Sequence, residues 1–132
     1  MAGMTDLDEM LRTLTVSVRP GRFTFVSVPQ GTAPALGDGV EAVLSESEGA
    51  TVVAAVERAT AEGWSYDFEG AWLTIDVHSA LEAVGLTATF SAALGAVEIP
   101  CNVLAAFHHD HLLVPADRID DAITALEALR DR

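Results

Sequence analysis

The chain has 132 residues, half of them hydrophobic, which suffices for one substantial core or two small cores sharing a sheet and argues against disorder. Its 20 acidic residues against seven basic ones, all arginine, give a formal net charge of −13, which disfavours binding to nucleic acid or anionic lipid. The apolar runs fall short of the roughly 20 residues of a membrane span, and the acidic N-terminus is unlike a signal peptide. We therefore expect a cytoplasmic protein, and the lack of lysine together with the abundant alanine favours a bacterial source.

The N-terminal half is predicted to contain two short helices and three strands. Leu7, Met10 and Leu11 recur at helical spacing within residues 5–14, the first predicted helix. The predicted strands are residues 22–28, 40–46 and 51–55, the last two forming a hairpin, and the second helix is residues 56–62, ended by Gly63. A turn is predicted at residues 19–21, where proline and glycine follow arginine.

The C-terminal half has a clear β-α-β-β-α order. The predicted elements are a strand at 71–78, a helix at 85–96, a strand at 99–107, a polar turn at 108–111, a strand at 112–115 and a helix at 117–130. Alternation places Leu73, Ile75 and Val77 on one face of the first strand and Trp72, Thr74 and Asp76 on the other. Asp117, which follows Pro115, is the predicted N-cap of the last helix.

This order predicts an α+β fold of the ferredoxin-like βαββαβ type, with an antiparallel sheet and its helices on one face. The N-terminal half resembles a second unit of this type whose first helix has shrunk to a loop. We therefore predict two tandem units, residues 1–68 and 69–132. Exposed strand edges in such small units favour pairing, so we expect a homodimer.

The residues with reactive side chains do not indicate an enzyme. Cys101 lies in a predicted strand without a cationic neighbour, where a small core residue is expected. The turn at 108–111 contains three histidines and Asp110, which are metal-ligand types. Alternation would let only His109 and His111 converge, so we expect solvent-exposed imidazoles, no metal, no cofactor and no catalytic residues.

A resemblance to a known family rests on the C-terminal half. Residues 85–94 (GLTATFSAAL), followed by Ile99 and by Asn102 and Val103, resemble the helix and second strand of ACT domains from the aspartate-kinase branch. Glu98 stands where that branch has glycine, and two further residues precede Asn102. At the level of the whole chain, the sequence is similar to small bacterial proteins with tandem ACT-like domains and no attached enzyme.

The resemblance implies that the strand-to-helix connection binds an amino acid or a similar small effector. The implied ligand-binding residues are His78, Ser79, Leu81, Glu82, Ala83, Val84, Gly85, Leu86 and Asn102. Free N–H groups at the helix start favour a carboxylate, glycine permits close approach, and Glu82 could accept from an ammonium group. In the simpler alternative, the loop only connects two elements, with Ser79 as a local cap and Glu82 in solvent.

Three functions therefore remain open. The first is a stand-alone regulatory or sensor module for a small effector, without catalysis. The second is a structural protein–protein interaction module with a degenerate pocket. The third is a small enzyme that uses the histidine-rich turn.

Overall fold

The protein is represented by a computed structural model that describes residues 6–77 and 85–131. The predicted α+β class is confirmed, with six strands and four α-helices in these ranges. The strands are β1 (Thr15–Val28), β2 (Val40–Glu46), β3 (Gly49–Ala55), β4 (Gly70–Asp76), β5 (Asn102–Ala105) and β6 (Asp110–Pro115). The helices are α1 (Leu7–Arg12), α2 (Val56–Glu62), α3 (Leu86–Ala96) and α4 (Ile119–Glu127). In the described ranges, no helix is long and apolar enough to cross a membrane.

Contacts in space group the residues of the chain into two compact units. A larger unit contains residues 1–19 and 71–132, and a smaller unit contains residues 20–70. The N-terminal residues thus group with the C-terminal half of the chain. The sequence-based division between residues 68 and 69 stays a prediction about tandem organisation.

In the smaller unit, the strand order is β2-β3-β1, with both pairs antiparallel. The predicted hairpin of β2 and β3 is confirmed, with Glu46 opposite Gly49 at its turn. The helix α2 ends at Gly63, which has a left-handed φ of 73° as predicted for a helix terminator. The buried apolar residues of this core are all valine or alanine, namely Val26, Val28, Val40, Ala50, Val52, Ala54 and Ala59.

The predicted turn at residues 19–21 is wrong, because β1 runs through it without interruption. Within the strand, Gly21 has a positive φ of 96°, a backbone conformation that is unfavourable for residues with a side chain. Proline at position 20 has no N–H to offer, and the ladder with β3 begins only at Phe23, opposite Ala55. The first residues of β1 therefore belong to the larger unit and the rest to the smaller one.

In the larger unit, the strand order is β1-β4-β6-β5. Helices α1, α3 and α4 cover one face of these strands, as the tandem ferredoxin-like prediction requires. Their buried core is rich in large side chains, among them Met10, Leu11, Leu73, Ile75, Phe90, Leu94, Leu112 and Leu126. Asp6 caps α1 through its Oδ1, which accepts from the N–H of Glu9 at 2.9 Å. At the other chain end, Arg130 Nε donates to the carbonyl of Leu14 at 2.8 Å.

Three predicted boundaries in the larger unit need correction. The strand predicted at 112–115 begins two residues earlier, because β6 starts at Asp110 and includes the second half of the predicted turn at 108–111. The last helix does not begin with Asp117 as its cap, because a 3-10 turn (Ala116–Arg118) comes first and α4 starts at Ile119. The predicted strand at 99–107 shortens to β5. Its start is delayed because Glu98 adopts a positive φ of 59° and the N–H of Ile99 bonds the carbonyl of Leu94, which closes the end of α3.

Candidate functional site

The first candidate site lies where α3 begins in the larger unit. Gly85 occupies the N-cap position with a left-handed φ of 100° and supplies no side-chain cap. Its carbonyl accepts from the N–H of Thr89 at 2.9 Å, the normal first bond of a helix. A Cβ at this position would lie 3.5 Å from Leu7 Cδ2, so space is adequate but the backbone conformation favours glycine.

An open cleft extends from this helix start along α3. It has a volume of about 550 Å³ and is lined by Gly85, Ala88, Thr89, Ala92, Ala93 and Leu129. Its walls are almost entirely apolar, because α3 presents alanine toward it. Such a cleft can accept an apolar group beside the polar N-terminus of the helix.

The predicted site residues are only partly within the described ranges. Leu86 is buried in the core of the larger unit and anchors the first turn of α3. Asn102 is exposed on β5, and its Nδ2 donates to the carbonyl of Leu113 at 3.3 Å. Six of the predicted residues lie outside the described residues, namely His78, Ser79, Leu81, Glu82, Ala83 and Val84.

A second group of interacting polar and aromatic side chains lies on the sheet face opposite the helices of the larger unit. Trp72 Nε1 donates to His111 Nδ1 at 3.1 Å, and Thr74 Oγ1 lies 3.0 Å from the same nitrogen. The Arg19 guanidinium stacks on the Trp72 ring, 3.9 Å from its centroid. Adjacent strands β1, β4 and β6 are thereby connected through side chains as well as through their backbones.

The prediction of solvent-exposed imidazoles is wrong for His111. The ring is half-buried, and desolvation lowers its pKa, with the neighbouring charges of Arg19 and His109 acting in the same direction. His109 itself is exposed, with Nδ1 3.7 Å from Asp76 Oδ1. Burial raises the pKa of the Asp110 carboxyl, against the opposing effect of the two histidines.

Metal and thiol chemistry find little support in the described ranges. There, no three His, Cys, Asp or Glu side chains are grouped so that they could hold a metal ion. Burial raises the pKa of the Cys101 thiol, although a hydrogen bond with Ser91 acts in the opposite direction. A raised pKa reduces the thiolate fraction, which is the reactive form.

Sequence reasoning missed the connection between Trp72 and His111. Alternation had placed Trp72 and Thr74 on the same face of β4, so part of the signal was available. The pairing order of the strands was needed to bring β6 beside β4.

Comparison with known proteins agrees with this geometry. The ACT domain family matches residues 2–71 and again residues 67–128. A crystal structure of a protein of unknown function from Vibrio cholerae is 32% identical, with a TM-score of 0.81 over 94% of this chain and 95% of that one. No curated protein matches the chain.

More distant structures share the fold. A protein from Agrobacterium tumefaciens is 17% identical, with a TM-score of 0.71 over 89% of each chain. The regulatory subunit of aspartate kinase from Thermus thermophilus is 12% identical, with a TM-score of 0.60 over 89% of this chain and 98% of that one. The two consecutive family matches establish that this chain belongs to the ACT domain family and contains two tandem ACT domains.

Proposed function

We propose that the protein is a regulatory module that binds an amino acid or a similar small effector in its larger unit. The observation that carries this proposal is the start of α3, where an uncapped, glycine-initiated helix meets the apolar cleft. A free amino acid has a carboxylate that suits helix N–H groups and a side chain that suits an apolar cleft.

The shared fold of the Thermus aspartate kinase regulatory subunit supports a regulatory role. In the proposed site, residues 78–84 complete the binding loop, and Glu82 accepts hydrogen bonds from the effector's ammonium group. Asn102 is a further proposed ligand contact. The proposal involves no catalytic step, and it places the protein in the cytoplasm without nucleic-acid or membrane partners.

We further propose that the protein acts as a homodimer. β2 ends the strand order of the smaller unit, and β5 ends that of the larger unit. Strands at sheet edges present backbone groups that can pair with another chain. Sedimentation equilibrium should therefore give about twice the mass of one 13.9 kDa chain.

The alternative is an interaction module that acts only through protein contacts. It is favoured by large apolar side chains at the surface, since Phe107 is 76% exposed and Leu36 is 68% exposed. Exposed apolar groups of this size are frequent at protein interfaces. Under this alternative, the cleft beside α3 would bind no small molecule.

Thermal-shift measurements with each of the twenty amino acids separate the two functions. An effector present at about 100 times its Kd should stabilise the protein by about 2.7 kcal/mol, which raises Tm measurably. We expect one amino acid, or a few related ones, to give a dose-dependent shift. The absence of a Tm shift with all twenty amino acids would favour the interaction module.

Two glycine variants locate the site. Gly85→Ala places a side chain at a φ of 100° beside the proposed carboxylate position. Gly37→Ala introduces one at a similar φ of 105° in the smaller unit, with no atom within 4 Å of its Cβ. Both variants should lose some stability, but only Gly85→Ala should abolish the ligand-induced shift. Equal shifts in both variants would place the site elsewhere.

Glu82→Gln tests the proposed ammonium contact separately. The amide keeps an acceptor oxygen but removes the charge, so affinity should fall by about tenfold for a loss of roughly 1.4 kcal/mol. Isothermal titration with the amino acid identified in the screen measures this change. Unchanged affinity would remove Glu82 from the site while leaving the proposed function intact.

A further inference from the structure

The hydrogen bonds of His111 determine its protonation state. An indole N–H can only donate, so the Nδ1 atom that receives the Trp72 bond must carry a lone pair. His111 is therefore neutral, with its proton on Nε2. The Thr74 hydroxyl lies 3.0 Å from the same Nδ1 atom and can share its single lone pair as a second donor.

Protonation of His111 is incompatible with this arrangement. The second proton would have to enter at Nδ1, the atom that accepts from Trp72. The Thr74 hydroxyl can rotate and become an acceptor, but the Trp72 N–H cannot. Because Trp72 is almost fully buried, protonation would set two N–H donors against each other in a place that water reaches poorly.

Charged groups from three elements surround the imidazole, and each opposes or favours the protonation of His111. From β1, Arg19 stacks on the Trp72 ring and disfavours a second positive charge. At the hairpin, His109 also opposes it, while Asp110 favours it. On β4, the carboxylate of Asp76 lies 3.7 Å from His109 Nδ1. On β5, the residue opposite His111 is the uncharged Leu104.

We propose that His111 is a proton-operated latch between β4 and β6. In its neutral form the latch is closed, and Trp72 is tied to β6 through His111. Acid opens it while the larger unit remains folded, which breaks the hydrogen bond between Trp72 and His111 and loosens the β5–β6 hairpin that carries the exposed Phe107. This switch does not depend on effector binding.

The direction of the pH effect follows from the proton balance. The unfolded chain binds a proton at His111 near the ordinary pKa of about 6.5, whereas the closed latch resists protonation. The stability contributed by the latch is thus complete above about pH 6.5 and is lost as the pH falls through the lower pKa of the folded state.

Tryptophan spectroscopy can observe the latch directly. The chain has two tryptophans, so a Trp64→Phe variant leaves Trp72 as the sole reporter. Acrylamide quenching and far-ultraviolet circular dichroism are followed from about pH 8 to about pH 5, a range that spans the ordinary histidine pKa of about 6.5. We expect a reversible rise in quenching with a midpoint below that pKa, while the circular dichroism stays constant. Constant quenching, or loss of both signals in one step, would overturn the proposal.

Two glutamine variants assign the transition to a residue. His111→Gln in the Trp64→Phe background retains an acceptor oxygen but does not titrate, so the transition should disappear. His108→Gln removes an exposed imidazole of the same hairpin whose ring contacts Phe107, and its midpoint should match the parent. A transition that persists in His111→Gln with the same midpoint would overturn the proposal.

A measurement on the unmutated chain covers the case in which His111→Gln fails to fold. Proton NMR resolves the indole N–H resonances of tryptophans. As the His111 ring becomes protonated, hydrogen exchange at the Trp72 resonance should become faster relative to exchange at the Trp64 resonance. The exchange rate of the Trp64 resonance should follow only the general pH dependence of indole exchange. Unchanged protection of Trp72 through the His111 titration would contradict the latch.

Discussion

The two units differ in the segment that connects one of their strands to the next. In the larger unit, β4 is followed by α3 before β5, and the start of that helix opens onto the apolar cleft. In the smaller unit, β1 and β2 are joined by residues 29–39, which contain no helix. The strands of the smaller unit thus pair without a helix between β1 and β2.

The cores of the two units also differ in the size of their side chains and in the number of helices that cover them. The larger unit packs Phe90, Met10 and several leucines beneath three helices. The smaller unit packs valines and alanines beneath α2, supplemented by the partly buried rings of Trp64 and Tyr66. The larger core is covered by three helices and the smaller core by one, and each is filled by side chains of matching size.

The largest expected effect contrasts the two cores. Phe90→Ala should destabilise the protein by about 4 kcal/mol, since a buried phenylalanine leaves a cavity when truncated. Val52→Ala in the smaller unit should cost about 2 kcal/mol, because fewer buried methyl groups are removed. Guanidinium unfolding followed by circular dichroism measures both. Equal losses would show that the smaller core is as tightly packed as the larger one.

The next effect concerns the turn of the β2–β3 hairpin. A Cβ on Gly49 would lie 2.5 Å from the carbonyl oxygen of Val28, and the φ of 147° is itself unfavourable for a side chain. We expect Gly49→Ala to cost about 3 kcal/mol from strain and overpacking together. Gly63→Ala, where nothing lies within 4 Å of the added Cβ, should cost only about 1–2 kcal/mol. A smaller loss for Gly49→Ala than for Gly63→Ala in thermal unfolding would contradict the steric argument.

The smallest effect concerns a buried hydroxyl in the smaller unit. Thr24 shares the inward face of β1 with Val26, and its Oγ1 has no hydrogen-bond partner among the described residues. Thr24→Val keeps the shape and removes the buried polar atom, so it should stabilise the protein by about 1 kcal/mol. Thr51→Val is the matched control, because it removes a hydroxyl bonded to Glu46, and it should give no gain. Urea midpoints compare the two variants, and a loss for Thr24→Val would point to an unrecognised partner.

Most strands and helices could be predicted because their causes are local. The β2–β3 hairpin, α2 and α3 follow from hydrophobic periodicity and from glycines that terminate or begin elements. The sequence-based predictions were wrong where pairing with neighbouring strands overrides the local preference for a turn. Pro20 and Gly21 form a turn in isolation, yet the strand continues through them because its two ends belong to different units.

By itself, the sequence determined the fold class, the family and the position of the helix that Gly85 begins, because periodicity and backbone preference are properties of consecutive residues. The tertiary structure decided that residues 1–19 join the C-terminal half and that His111 meets Trp72. These contacts depend on the order of strands in the sheet, which brings together residues 39 positions apart in the chain. Local propensities carry no information about that order, since it follows from how the complete set of apolar faces is buried.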